Sequence, residues 1–328
     1  MLRSLVPIGV TFLCTVGVSG AVGCKQSSQD VSAADASTPS ALEDAGPAEP
    51  EKLWDPAIAP RFRGGEAAGK MDVSNRYIST IMLVPGESHV FPSCSGILLN
   101  RRVALTAASC VCPPRQAPHG VPEKGPIGPA ACAERAFVMT VHMGPPKLPN
   151  FPEESVVRRF ERVGGQVHVH PSFKLELDDQ GAVLSTRADL AIIVLDLPVT
   201  VAVPRIPLAE TEVQEHEALV MAGYGDDERF RDVPGVRYFR HNKAIRIQGS
   251  DGKVLYEQQG PFVYDGYMGG PCFREDESKR WLVGIASVGS EQELSFTSTY
   301  FFRNWLRAEL QRVSSAASPS VPAPQHPQ

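Results

Sequence analysis

Apolar residues along this chain fall into short runs at 77–84, 96–99, 103–107, 136–143, 166–170, 190–197, 218–223, 244–247 and 281–288. Each run is a few residues long, rich in β-branched side chains, and bounded by clusters of Gly, Pro and Asp. That spacing predicts strands and an all-β body, either a sandwich or a barrel. One segment departs from it. Phe302, Leu306, Leu310 and Val313 recur at helical spacing with Arg303, Arg307 and Glu309 between them, which predicts a terminal helix over 301–313 docked on the β body. From Pro113 to Pro152 ten prolines fall in forty residues, and no strand period begins before Ala136. The stretch 112–132 therefore reads as an inserted loop.

The two ends carry a different pattern. Arg3, an apolar stretch from Leu5 to Val18 and small residues at 19–23 have the layout of a signal peptide, too short and too interrupted by Pro7 and glycines for a membrane span. Residues 24–60 are rich in Ser, Ala, Asp, Glu and Pro, and they bury too little apolar surface to offset chain entropy. They read as a disordered acidic linker. Residues 314–328, with Pro319, Pro322, Pro324 and Pro327, read as a disordered tail. A folded body over 61–313 remains.

Composition narrows the function classes. The chain has 328 residues, 42% hydrophobic and 21% charged, which excludes fibrous and wholly disordered proteins. Its net charge of −5 is localised. The linker holds seven acids against Lys25 and Lys52, whereas the part from residue 61 onward has 29 bases and 30 acids. A neutral body without a basic stripe gains little from counterion release, so nucleic acid is not an expected partner.

Three segments, in order, resemble the chymotrypsin/trypsin-like serine peptidases. Cys94-Ser95-Gly96-Ile97-Leu98-Leu99 followed by 103–110 (Val-Ala-Leu-Thr-Ala-Ala-Ser-Cys) is similar to the strand pair that carries the catalytic histidine. Arg187-Ala188-Asp189-Leu190-Ala191-Ile192-Ile193 is similar to the strand of the catalytic aspartate. Gly266-Tyr267-Met268-Gly269-Gly270-Pro271, followed by Trp281–Ser287, is similar to the Gly-Asp-Ser-Gly-Gly-Pro segment and the strand lining the substrate cleft. The resemblance spans 61–313 and implies two six-stranded antiparallel β-barrels, about 62–200 and 205–300, followed by the helix.

The resemblance also implies altered chemistry. The histidine position is Ser109 and the serine position is Met268; only Asp189 keeps its family identity. A hydroxyl has no basicity near neutral pH, and a thioether has no ionisable proton, so general base and nucleophile are both missing. Gly266 and the amide of Met268 take the oxyanion-hole positions, Phe262 the base of the specificity pocket, and Ser287, Val288 and Gly289 the strand that would pair with a bound peptide. Tyr267 stands where the family has the acid that pairs with a newly cleaved amino terminus, so cleavage after Arg61 would not operate that switch. His142, His168 and His170 are placed away from the site, with His168 and His170 on one strand face.

The resemblance pairs Cys94 with Cys110, and Cys112 with Cys132 would then close the insertion, leaving Cys272 odd. A zinc site from Cys110, Cys112 and Cys132 is the rival, although an exported chain favours disulfides. Residues 21–24 (Ala-Val-Gly-Cys) resemble the lipobox of bacterial lipoproteins, which implies lipidation at Cys24; ordinary cleavage near Ala21 is the alternative. The expectation is a lipid-anchored, non-catalytic homologue at a bacterial cell envelope. It would bind a protein or peptide and use no cofactor or metal. A peptidase with a relocated site and a purely structural envelope protein remain open.

Overall fold

A computed structural model describes residues 70–85, 94–112, 125–144, 157–179, 183–224, 235–258, 267–276, 278–287 and 294–316. Residues 1–69 with Cys24, the segment holding Phe262 and Gly266, Val288 with Gly289, and the tail beyond residue 316 lie outside the described residues.

Six strands form a closed barrel in the order β2 (Thr80–Pro85), β3 (Cys94–Asn100), β4 (Val103–Thr106), β9 (Ala191–Leu195), β6 (Val157–Val169) and β5 (Arg135–Gly144). All its pairings are antiparallel. The alternating burial of β5 places Ala136, Val138 and Thr140 inside, the signature of a strand with one wet face. β4 is buried at every position.

A second ring closes through β10 (Ala218–Gly223), β11 (Tyr238–Gln248), β12 (Lys253–Gln258), β15 (Ser295–Ser298), β14 (Arg280–Ser287) and β13 (Pro271–Glu275). The closing contact is the β11–β12 pairing. The architecture is thus two closed six-stranded antiparallel barrels with one C-terminal helix, and it fits a trypsin-like fold. Closure removes the edges that would otherwise template pairing with other chains.

Three details depart from the sequence reading. β1 (Lys70–Met71) pairs with β11, so the first described strand joins the second ring although the sequence assigns it to the first. A hairpin of β7 (Lys174–Leu177) and β8 (Val183–Arg187) carries Leu184 outward at 60% exposure and has too little alternation to read as strand. The helix α1 (Arg303–Ala316) runs three residues past Val313 into the expected tail. Leu306 and Val313 bury against the first-barrel core, with Phe302, Trp305 and Leu310 packed beside them. His170 lies under this helix, its ring centroid 5.0 Å from that of Phe302 and 4.8 Å from that of Trp305.

A buried polar knot ties the segment just after β1 to both barrels. Arg237 and Asp72, each with a fully buried side chain, meet at 2.6 Å. Arg237 also donates to the Val141 carbonyl and the Tyr224 hydroxyl, each at 2.9 Å. Asp72 further accepts the backbone amides of Arg76 and Tyr77 at 2.7 and 2.8 Å. Burial alone would lower the guanidinium pKa, but Tyr224 and Asp72 reverse that and hold it above its ordinary value.

Candidate functional site

The two barrels meet where Ser109, Asp189, Met268 and Ser287 come together. Ser109 sits in a single 3-10 turn just after β4, fixed by the Cys94–Cys110 disulfide. Asp189 lies between β8 and β9, after Ala188, whose φ of 50° is left-handed. That conformation is strained for a residue with a Cβ, and the Leu190 amide closes the tight turn by donating to the Ala188 carbonyl at 2.8 Å. Met268 opens the turn into β13. The turn needs glycine next: Gly269 has φ of 77°, and a Cβ there would lie 2.3 Å from the Ser95 carbonyl oxygen and from Thr106 Oγ1.

The carboxylate of Asp189, 1% exposed, is the centre of the site. The Ser109 amide donates to Oδ1 at 2.7 Å, the Ser109 hydroxyl to Oδ2 at 2.9 Å, and the Ser287 hydroxyl to Oδ2 at 2.6 Å. Three donors on a buried acid are the arrangement that lets a carboxylate stay in a low-dielectric place. Thr186, buried on β8, extends the chain of hydroxyls with its Oγ1 3.3 Å from Ser287 Oγ. On the other side Ser109 Oγ is 3.8 Å from Met268 Sδ. The Met268 carbonyl accepts the Ser95 amide at 2.7 Å, and Ser95 Oγ accepts the Tyr224 amide at 2.9 Å, so the same turn bonds to both barrels.

The hydroxyl of Ser109 has one proton and directs it to a carboxylate, and Met268 offers only a thioether. Other candidates for catalysis lie elsewhere. His170 is at the end of β6, its Nδ1 accepting the Ser172 amide at 3.1 Å, and burial lowers its pKa. The pKa of His168 is lowered by burial first and by Arg312 second. His142 is exposed on β5. Cys272 is fully buried, and burial, with Glu217 adding to it, pushes its thiol well above the usual range, which keeps it in the non-nucleophilic form.

The cysteines settle the rival metal reading. Cys94–Cys110 and Cys112–Cys132 are both disulfides, so the three sulfurs of the zinc alternative are already bonded. Among the described residues no group of three or more His, Cys, Asp or Glu side chains could hold a metal.

Of the site residues named from sequence, the structure brings Ser109, Asp189, Met268 and Ser287 to one place; Phe262, Gly266, Val288 and Gly289 lie outside the described residues. Sequence reasoning missed Thr186, which sits in no motif, and gave no role to Tyr224, although Ala222-Gly223-Tyr224-Gly225 is one of the segments that carry the resemblance. It also missed Arg237, one of several arginines between 229 and 240, just ahead of a strand of which only 244–247 is marked in the sequence. A signal for Arg237 exists only in pairing it with Asp72, 165 positions away.

No protein-family model and no curated protein matches the chain.

Proposed function

We propose that the chain is a non-catalytic homologue of the trypsin-like serine peptidases, serving as a lipid-anchored binding or regulatory module at a bacterial cell envelope. The observation that carries the reading is the contact of Ser109 Oγ with Asp189 Oδ2 at 2.9 Å and with Met268 Sδ at 3.8 Å. At the meeting point of two barrels, where the resembled family keeps histidine and serine, this chain has a hydroxyl bonded to Asp189 and a thioether beside that hydroxyl. Neither stands in for the imidazole base or the base-activated serine hydroxyl of that family. The partner in this reading is a protein or peptide, and the acidic linker after Cys24 is the spacer that holds the body clear of the bilayer.

The test is direct. Purified protein is exposed to a fluorophosphonate probe and to peptide substrates cleaved after basic residues. No covalent label and no turnover are expected, and labelling of any serine together with turnover overturns the non-catalytic reading. Anchoring is tested separately by metabolic labelling with a radioactive fatty acid in a bacterial host. Label should be present in the unaltered chain and absent from Cys24→Ala; equal labelling of the two, or none in either, overturns the anchor.

A further inference from the structure

Met268 is half-buried at the barrel junction, packed against the edge of the larger core. Met82, Met143 and Met221 are at most 4% exposed, whereas Met71 and Met139 are half-buried like Met268, which is set apart by the Ser109 hydroxyl beside its sulfur. A thioether is a weak acceptor, so the Ser109 hydroxyl 3.8 Å away gives its proton to Asp189. A sulfoxide in the same place is a strong acceptor.

We propose that Met268 is an oxidation site for hydrogen peroxide and similar small peroxides. A sulfur lone pair attacks one peroxide oxygen and the O–O bond breaks. That oxygen stays on sulfur as the sulfoxide, and the other leaves as water with both protons. The thioether is oxidised and the peroxide reduced, with nothing else consumed. The Ser109 hydroxyl then turns from Asp189 to the sulfoxide oxygen. Asp189 keeps two donors, the Ser109 amide and the Ser287 hydroxyl. The added oxygen is therefore satisfied, and the carboxylate is not stripped. At Met221, enclosed among Leu219, Val283 and Ala286, the same oxygen would enter an apolar core and disrupt it. The inference stands on local geometry and goes beyond the binding role: it holds with or without a peptide partner.

The test uses the full chain as unaltered protein, Ser109→Ala, Ser109→Thr and Met268→Leu, each treated with hydrogen peroxide for graded times. Peptide mapping by mass spectrometry follows each methionine, and the melting temperature is read before and after. Sulfoxide should accumulate at Met268 roughly tenfold or more faster than at the three buried methionines, while the fold persists. Oxidation should lower the melting temperature of Ser109→Ala more than that of the unaltered protein, with Ser109→Thr, which keeps a hydroxyl, close to unaltered. Met268→Leu should lose the Met268-dependent part of the shift. Met268 reacting no faster than Met82, Met143 and Met221 overturns the site. An equal melting loss in Ser109→Ala and the unaltered protein overturns the hydroxyl's role.

Discussion

Asp189 joins the two barrels, and the strength of that joint can be measured. Asp189→Ala removes the one acceptor shared by the Ser109 amide, the Ser109 hydroxyl and the Ser287 hydroxyl. The two hydroxyls belong to half-buried residues and can rotate toward water, but the amide is fixed by its turn. An orphaned amide costs about 1–3 kcal/mol, and each lost charge-assisted bond about 1.5–3 kcal/mol before rehydration returns part of it. Removing a buried charge also relieves its desolvation, which offsets part of the loss. The net is about 2–4 kcal/mol, or roughly 5–15 °C in melting temperature for a domain of this size. Asp189→Asn keeps an acceptor for the amide and offers an NH2 group to hydroxyls that can reverse their roles, so it should cost less, about 1–2 kcal/mol. Urea unfolding followed by fluorescence reads both values, with an unchanged slope showing that only stability moved. The reasoning fails if Asp189→Ala unfolds at the same urea concentration as the unaltered protein, or if the asparagine variant is the less stable of the two.

Three further outcomes follow from the same structure. Asp72→Ala leaves the fully buried Arg237 guanidinium without its carboxylate and should destabilise by about 3–5 kcal/mol in the same unfolding assay. Ala188→Gly relieves a left-handed φ of 50° ahead of Asp189 and should raise the unfolding free energy by up to about 1 kcal/mol, seen as a higher urea midpoint, where most glycine substitutions lower it. Burial holds His168, His170 and His241 below their ordinary pKa, so the folded state binds fewer protons than the unfolded one. Their contribution is fully present above the unfolded value of about 6.5 and is lost as pH falls below it, so the urea midpoint should drop between pH 7.5 and 5.5. His170→Gln should reduce that drop, and an unchanged drop would remove His170 from the account.

Much of the fold was legible because alternation and turn residues are local signals. The β5 run from Ala136 to Met143 shows its period in eight residues, and α1 shows Leu306 and Val313 on one face. β12 and β15 were not legible: Lys253–Gln258 mixes charge with apolar residues, and Ser295–Ser298 is mostly hydroxyl yet fully buried. Its burial comes from pairing with β12 and β14, a non-local fact. The same holds at the site. Ser109, Asp189 and Met268 sit in long ordered motifs and could be named from sequence, whereas Thr186 enters through a 3.3 Å contact with a residue 101 positions away.

The geometry also gives Asp189 a structural role between the barrels. Ser109 and Met268 are half-buried, so each side chain can change without leaving a fully enclosed charge or an enclosed orphan donor. Asp189 is enclosed and accepts three donors that belong to two barrels, Ser109 from the first and Ser287 from the second. Replacing it severs a joint between the barrels. Ser109 suits that joint because one residue supplies both an amide and a hydroxyl to the carboxylate, with a side chain too short to reach outward. A residue such as alanine at 109 would still give the amide, so Ser109→Ala should cost only about 1 kcal/mol, the worth of one bond from a hydroxyl that solvent can partly replace. The ordering Asp189→Ala above Asp189→Asn above or equal to Ser109→Ala is what a structural joint requires. In a working triad the same residues would be ranked by rate instead, and stability would barely distinguish them.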